Sequence, residues 1–276
     1  MQFIQANNVV LNCSVSGNPD GPPLVFINSL GTDWRIWDSM MPYFEITYRV
    51  IRYDKRGHGL SDCPPAPYSI RDHAQDLVGL LDVLSMHSTT VESTAVLIGI
   101  SVGGMIAQDV AAAWPDRVQK LVLCDTAAKI GTAEMWHGRI QTLRAEGMEA
   151  LADAILSRWF APGFQNQNPA AYQGYRHMLT RMPVTGYTGT CEAIRDADLT
   201  AATRTIQAPT LVLCGNEDSA TPPELVQGLA ALLPNARYAE IPNAGHLPCV
   251  EQPDVTAVHI QAFLQETPST AVDHHE

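Results

Sequence analysis

Apolar residues along this chain gather in short dense runs, and between the runs they recur at helical spacing. Residues 2–16 alternate about Asn7-Asn8, which predicts a β-hairpin. Residues 24–30 and 48–53 are apolar, branched runs that stop at Gly31 and at Asp54, so each predicts a buried strand. From Ser69 the period changes. Ser69 can cap a helix, Asp72 suits its first turn, and Leu77, Leu80, Leu81 and Leu84 fall on one stripe. Residues 95–100 then predict a further strand, followed by a helix that Pro115 stops. Another buried run covers 121–125. Over 127–207 the spacing is helical throughout and predicts no strand. Strand character resumes at 209–214 and 236–241, and a last helix is predicted over 255–264.

Strands alternating with helices imply an α/β fold, a mostly parallel sheet covered on both faces. A helical insertion of about eighty residues between two such strands implies a lid over their C-terminal ends, where open α/β sheets place their sites. The expected division is a core over 1–127, a helical cap over 128–207, the rest of the core over 208–266, and a polar tail over 267–276 containing His274 and His275.

Composition narrows the class. A chain of 276 residues, 46% hydrophobic and 17% charged, suits one large α/β domain with an insertion. Its net charge of −12 argues against nucleic acid or an anionic membrane as partner. The start of the chain lacks a basic and apolar leader, and no run approaches the roughly 20 apolar residues of a membrane span. Six scattered cysteines (Cys13, Cys63, Cys124, Cys191, Cys214, Cys249) form no C-x-x-C pair. A disulfide framework or zinc site is not expected, and a reducing, cytoplasmic setting is.

The candidate chemistry lies at Gly99-Ile100-Ser101-Val102-Gly103-Gly104. A strand running through Gly-x-Ser-x-Gly into a helix is the context of a nucleophile elbow, with small residues two positions either side of a strained serine. Gly104 is expected to let the helix lie close to the strand. Serine needs a base, usually a histidine oriented by a carboxylate, in the chain order Ser, acid, His. His246 follows the 236–241 strand on a loop that Gly245 leaves room to turn. His58 and His73 precede the serine, His137 and His177 fall in the lid, and His259 lies inside the last helix. For the acid, Asp218 and Asp125 both follow strands. Asp218 is favoured, Asp125 is the alternative and Glu217 comes third. Oxyanion donors are expected from the N–H groups of Val102 and Leu30. An acidic protein that binds an anion needs a local cation. Trp136 and Arg139 share one face of a predicted lid helix, with Arg158 and Trp159 as second choice.

The chain resembles the α/β-hydrolase superfamily and, within it, the 3-oxoadipate enol-lactone hydrolases of aromatic-compound breakdown. The resemblance rests on Asn28-Ser29-Leu30-Gly31-Thr32-Asp33-Trp34, on Tyr53-Asp54-Lys55-Arg56-Gly57-His58-Gly59-Leu60-Ser61, and on the elbow through Ala107. Asp125-Thr126-Ala127, Gly131-Thr132-Ala133-Glu134-Met135-Trp136 and Ala244-Gly245-His246 extend it over nearly the whole chain. It implies an eight-stranded, mostly parallel sheet flanked by helices, with a helical cap inserted before the penultimate strands. It also implies a triad of Ser101, Asp218 and His246, oxyanion donors at Leu30 and Val102, substrate contacts at Ser29, Trp136, Arg139 and Trp159, and neither cofactor nor metal. The implied activity is hydrolysis of an enol lactone, with a small-molecule lactone as partner; a homo-oligomer is compatible with this reading. The same triad also serves carboxylesterases, perhydrolases and C–C hydrolases, and the scaffold can serve a slow-turnover small-molecule receptor. A haloalkane or epoxide mechanism would need Asp at position 101 and is excluded.

Overall fold

A computed structural model describes residues 1–86 and 94–266. The chain opens with a hairpin of β1 (Gln2–Ala6) and β2 (Val9–Gly17). Its turn residues Asn7 and Asn8 have φ of 46° and 62°, the left-handed region that Asn tolerates better than most side chains. β3 (Pro23–Ile27) follows, then a short 3₁₀ segment and α1 (Met41–Phe44). Next come β4 (Arg49–Tyr53), α2 (Ile70–Met86), β5 (Ala95–Ile100), α3 (Val102–Ala113) and β6 (Val118–Cys124). Between β6 and β7 the chain is helical: α4 (Ala133–Glu146), α5 (Ala152–Trp159), α6 (Phe164–Gln167), α7 (Pro169–Thr180), α8 (Val184–Asp196) and α9 (Thr200–Thr203). The core resumes with β7 (Thr210–Gly215), α10 (Pro223–Leu232), β8 (Ala236–Ile241), α11 (Pro248–Glu251) and α12 (Pro253–Gln265).

The eight strands form one sheet in the order β1-β2-β4-β3-β5-β6-β7-β8. β2 pairs antiparallel with β1 and β4, and every other pairing is parallel. The strand order reverses at β3, which has β4 on one side and β5 on the other, and ligands bind such sheets outside the strand ends at this reversal. In register, Ile27 is level with both Tyr53 and Gly99. The loops after β3, β4 and β5 therefore emerge side by side.

The core follows the hydrophobic pattern. Leu77, Leu80, Leu81 and Leu84 of α2 are all buried, and Ser69 and Asp72 cap the helix reciprocally, each backbone N–H donating to the other's side chain. α3 is buried on every side from Val102 to Ala111, so it can carry no exposed polar face, and its sequence has none. Buried Gln108 links it outward, donating to the Ala127 carbonyl and accepting from Thr203 of α9.

The structure corrects two strand boundaries. β3 stops at Ile27, short of residue 30, because Thr32 bonds back to the Ser29 carbonyl through its hydroxyl and curls residues 28–32 into a turn. β6 begins at Val118, three residues before 121, where Val118 pairs with Ala95 of β5. The polar tail over 267–276, with His274 and His275, lies outside the described residues. All six cysteines are free thiols; Cys63 is exposed and the other five are buried. Among the described residues, no helix is long and apolar enough to cross a membrane.

Candidate active site

Ser101 sits at the junction of β5 and α3 with φ 56° and ψ −123°. A non-glycine residue in such a region costs about 1–3 kcal/mol and persists only where its surroundings hold it. Two hydrogen bonds do so: the Ser101 N–H donates to the Cys124 carbonyl at 3.0 Å, and the Thr126 hydroxyl donates to the Ser101 carbonyl at 2.6 Å. The turn also requires its glycines. A Cβ on Gly99 would lie 2.3 Å from the Gly103 carbonyl oxygen, and one on Gly103 would lie 2.2 Å from that of Ile27 in β3. The bare Cα of Gly104 also makes room for the Thr126 side chain beyond β6, since a Cβ there would lie 2.5 Å from its methyl carbon.

His246 lies on the loop between β8 and α11 and is 3% exposed. Its Nδ1 is 2.8 Å from Asp218 Oδ2. With the proton assigned to Nδ1 by this contact, Nε2 is the ring's basic atom. Asp218 is itself held by the turn that follows it. Oδ1 accepts the N–H groups of Ala220 and Thr221, and Oδ2 accepts the Thr221 hydroxyl at 2.6 Å. Burial alone would raise the Asp218 carboxyl, but the adjacent His246 ring and these donors outweigh it and hold it below the usual carboxylate range. Backbone contact sets the loop spacing, since a Cβ on Gly215 would fall 2.0 Å from the Gly245 carbonyl oxygen.

Asp125 comes to the same place but makes no contact with the ring. It accepts the Gly215 N–H at 2.8 Å through Oδ1, Oδ2 accepts from no donor, and the carboxyl lies close enough to Asp218 to hydrogen-bond it when protonated. Burial, and then the neighbouring Asp218, push its carboxyl well above the usual range and so favour its protonated form. Glu217, the third candidate, is exposed. Asp125, Asp218 and His246 each bring a ligand-type atom within 4.8 Å of the others, the one cluster of this kind among the described residues. Asp218 Oδ2 and His246 Nδ1 already engage each other at 2.8 Å, so this cluster serves to orient the ring.

Ser101 and His246 line one cavity with Ser29, Leu30, Trp136, Arg139 and Trp159, which gathers most of the residues singled out from sequence. Ser101 and His246 make no direct hydrogen bond to each other among the described residues. Val102 is fully buried behind the serine and, as the first residue of α3, has no intrahelical carbonyl for its N–H. Trp136 is fixed by donating its indole N–H to the Ile130 carbonyl at 2.7 Å, and the Arg139 guanidinium stacks 4.8 Å over its ring. Arg158 also lines the cavity, donating to the Ser219 and Ala220 carbonyls. Burial and then the charge of Arg139 lower its pKa. Neither guanidinium forms an ion pair with a described residue. Sequence reasoning missed Thr221 and the buried Tyr187 of the cavity wall. Asp-x-x-Thr at a strand exit was the available signal for the former, while nothing local marks the latter.

Comparisons with known proteins place this site in context. A family profile for the alpha/beta hydrolase fold matches residues 22–253. The chain is 35% identical to 3-oxoadipate enol-lactonase 2 of Acinetobacter baylyi, over 95% of this chain and 96% of that one. The crystal structure of the enol-lactonase from Burkholderia xenovorans LB400 superposes with a TM-score of 0.91 at 36% identity, covering 96% of this chain and all of that one. A thermophilic esterase from Thermogutta terrifontis, solved with malate bound, superposes with a TM-score of 0.88 at 28% identity, covering 96% and 98%.

Proposed function

Because this chain belongs to the alpha/beta hydrolase fold family and is a hydrolase of that family, we propose that it opens the lactone ring of 3-oxoadipate enol-lactone or a close analogue. In this reading it is a cytoplasmic serine hydrolase of aromatic-compound breakdown whose partner is a small lactone, and residues 128–207 form a cap over its pocket. The observation that carries the reading is one cavity lined by Ser101, by His246 in contact with Asp218, and by two guanidiniums without carboxylate partners.

Ser101 Oγ attacks the ring carbonyl while His246 Nε2 takes its proton, and Asp218 supports the imidazolium through Nδ1. The carbonyl oxygen becomes an oxyanion between the Leu30 and Val102 N–H groups. As the tetrahedral carbon collapses, the ring C–O bond breaks and the enolate leaves, taking the proton from His246, which returns to its neutral form; the resulting enol then tautomerises to the ketone. Water, deprotonated by His246, then attacks the acyl-serine and releases a dicarboxylate and free Ser101. Arg139 holds the carboxylate that the lactone already carries, stacked on Trp136, with Ser29 and Trp159 completing the wall around the ring.

A substrate panel tests this reading. The enol lactone should exceed p-nitrophenyl acetate and uncharged γ-lactones in kcat/KM by about a hundredfold, the scale of one buried charge-assisted contact. Equal rates on all three would make the protein a general esterase. Stoichiometric capture of the lactone without turnover would make it a receptor.

A further inference from the structure

Lys55 presents a buried amino group, 1% exposed, with no ion-pair partner among the described residues. Burial pushes its ammonium pKa well below the ordinary lysine range, against the pull of Asp54 and Asp33. A lysine placed this way is costly, and an apolar side chain of the same length would fill the space without that cost. Its one hydrogen bond runs from Nζ to the Ser29 carbonyl, at 2.6 Å. That carbonyl does not need it for satisfaction, since the Thr32 hydroxyl already donates there at 2.9 Å.

The Ser29 carbonyl and the Leu30 N–H are the two ends of one peptide unit. A donor on an amide oxygen draws electron density through the conjugated C–N bond and leaves the N–H more positive, the basis of hydrogen-bond cooperativity. The Leu30 N–H donates to no protein group among the described residues and belongs to a residue lining the Ser101 cavity. The next peptide is held from the same direction: the Gly31 N–H donates to His58 Nε2 at 3.1 Å, and His58 Nδ1 lies 3.2 Å from the Arg56 carbonyl, to which it donates in the matching tautomer. Residues 55–58 follow β4 and residues 28–31 follow the adjacent β3, so sheet register delivers both grips.

We propose that Lys55 is a positioning residue of the oxyanion hole, polarising the Ser29–Leu30 peptide so that its N–H binds the developing oxyanion more strongly. This rests on the reading of Ser101 as nucleophile and Leu30 as donor. Lys55 touches neither substrate nor serine. Its effect passes through a single amide and belongs to the transition state, so it alters kcat and leaves KM unchanged.

The test compares wild type with Lys55→Met and Lys55→Gln, the latter keeping a neutral donor. The substrate is uncharged p-nitrophenyl acetate. The probes are a small alkyl trifluoromethyl ketone, which the serine converts to a charged hemiketal, and the matching methyl ketone, which binds unreacted. Lys55→Met should lower kcat about five- to twentyfold, a fraction of the roughly 10²–10³ that a whole oxyanion donor contributes, with KM within about twofold. Affinity for the trifluoromethyl ketone should fall by the same factor while that for the methyl ketone holds, and Lys55→Gln should lie between. A wild-type kcat in Lys55→Met, or equal weakening of both ketones, overturns the proposal. Should Lys55→Met not fold, Lys55→Gln decides: a ratio of the two affinities lowered about threefold or more supports it, and an unchanged ratio overturns it. A trifluoromethyl ketone that binds Ser101→Ala as tightly as wild type would instead sink the serine reading itself, which keeps the two failures apart.

Discussion

Asp218 and Asp125 lie side by side behind His246 with their carboxyl pKa values pushed in opposite directions. Each offers an oxygen within 4.8 Å of the other and of a ring nitrogen, yet only Asp218 touches the ring, at 2.8 Å. Like charges this close in a buried site cannot both ionise, so one pKa is raised at the other's expense. The residue with donors on both oxygens is the one held below the usual carboxylate range. Asp125, with a single N–H donor, is the one whose carboxyl is pushed well above the usual range.

This asymmetry predicts different costs for matched substitutions. Asp218→Asn should lower kcat by about 10⁴, because an amide can no longer hold the imidazole in the right tautomer or support its charge. Asp125→Asn leaves the Asp218–His246 contact in place and keeps an oxygen for the Gly215 N–H, so its kcat should stay within about tenfold of wild type. Steady-state kinetics on both variants decide the matter, and a larger loss from Asp125→Asn would move the acid to the end of β6.

Ser101→Ala should abolish nearly all turnover, with kcat down about 10³-fold or more. The fold should persist, and relief of the strained φ at 101 is limited because alanine also carries a Cβ. Thermal denaturation should therefore give a Tm no lower than wild type. Activity above about a tenth of wild type would remove Ser101 as the nucleophile.

Arg139→Ala should raise KM for the anionic lactone more than for a neutral ester, by about ten- to a hundredfold, the value of a charge-assisted hydrogen bond of about 1.5–3 kcal/mol. Trp136→Ala should weaken both substrates, since it removes apolar wall as well as the surface on which Arg139 rests. If Arg139→Ala affects both substrates alike, Arg158 on the same cavity holds the carboxylate.

Glu251 gives a pH dependence of stability. Its carboxylate accepts the Ala161 N–H beyond α5 at 2.9 Å and the Gly245 N–H beside His246 at 2.8 Å. Burial raises its pKa to about 7, against these two donors. An acid whose folded pKa lies above its unfolded value contributes fully below the unfolded value, and that contribution is lost as pH rises through the folded one. The Tm of wild type minus that of Glu251→Gln should thus fall as pH rises from about 5 to about 8. A difference that grows over this range would contradict the assignment.

The elbow strand was legible to the residue: β5 runs from Ala95 to Ile100, because a branched apolar run bounded by Gly-x-Ser-x-Gly has few other solutions. His246 was legible by position, as the histidine on a loop past the last strand, and α2 by its stripe of leucines. These features are local, or repeat at a fixed period, and a linear pattern encodes such information fully. The choice between Asp125 and Asp218 is of another kind. Both end a strand and both satisfy the chain order. What separates them is which oxygen reaches Nδ1 and how many donors surround each carboxyl, and those donors come from Gly215 at the end of β7 and from Ala220 and Thr221 on the turn after it, whose placement depends on β7 pairing with β6 and β8. The early end of β3 was likewise settled by Thr32 folding back onto Ser29, and the grip of Lys55 on that carbonyl by β3 and β4 lying in register. Sequence determined the order of the strands and marked the positions of Ser101 and His246; tertiary structure decided which way each carboxyl is shifted and the contacts between loops, because burial and proximity are properties of the packed molecule and have no period along the chain.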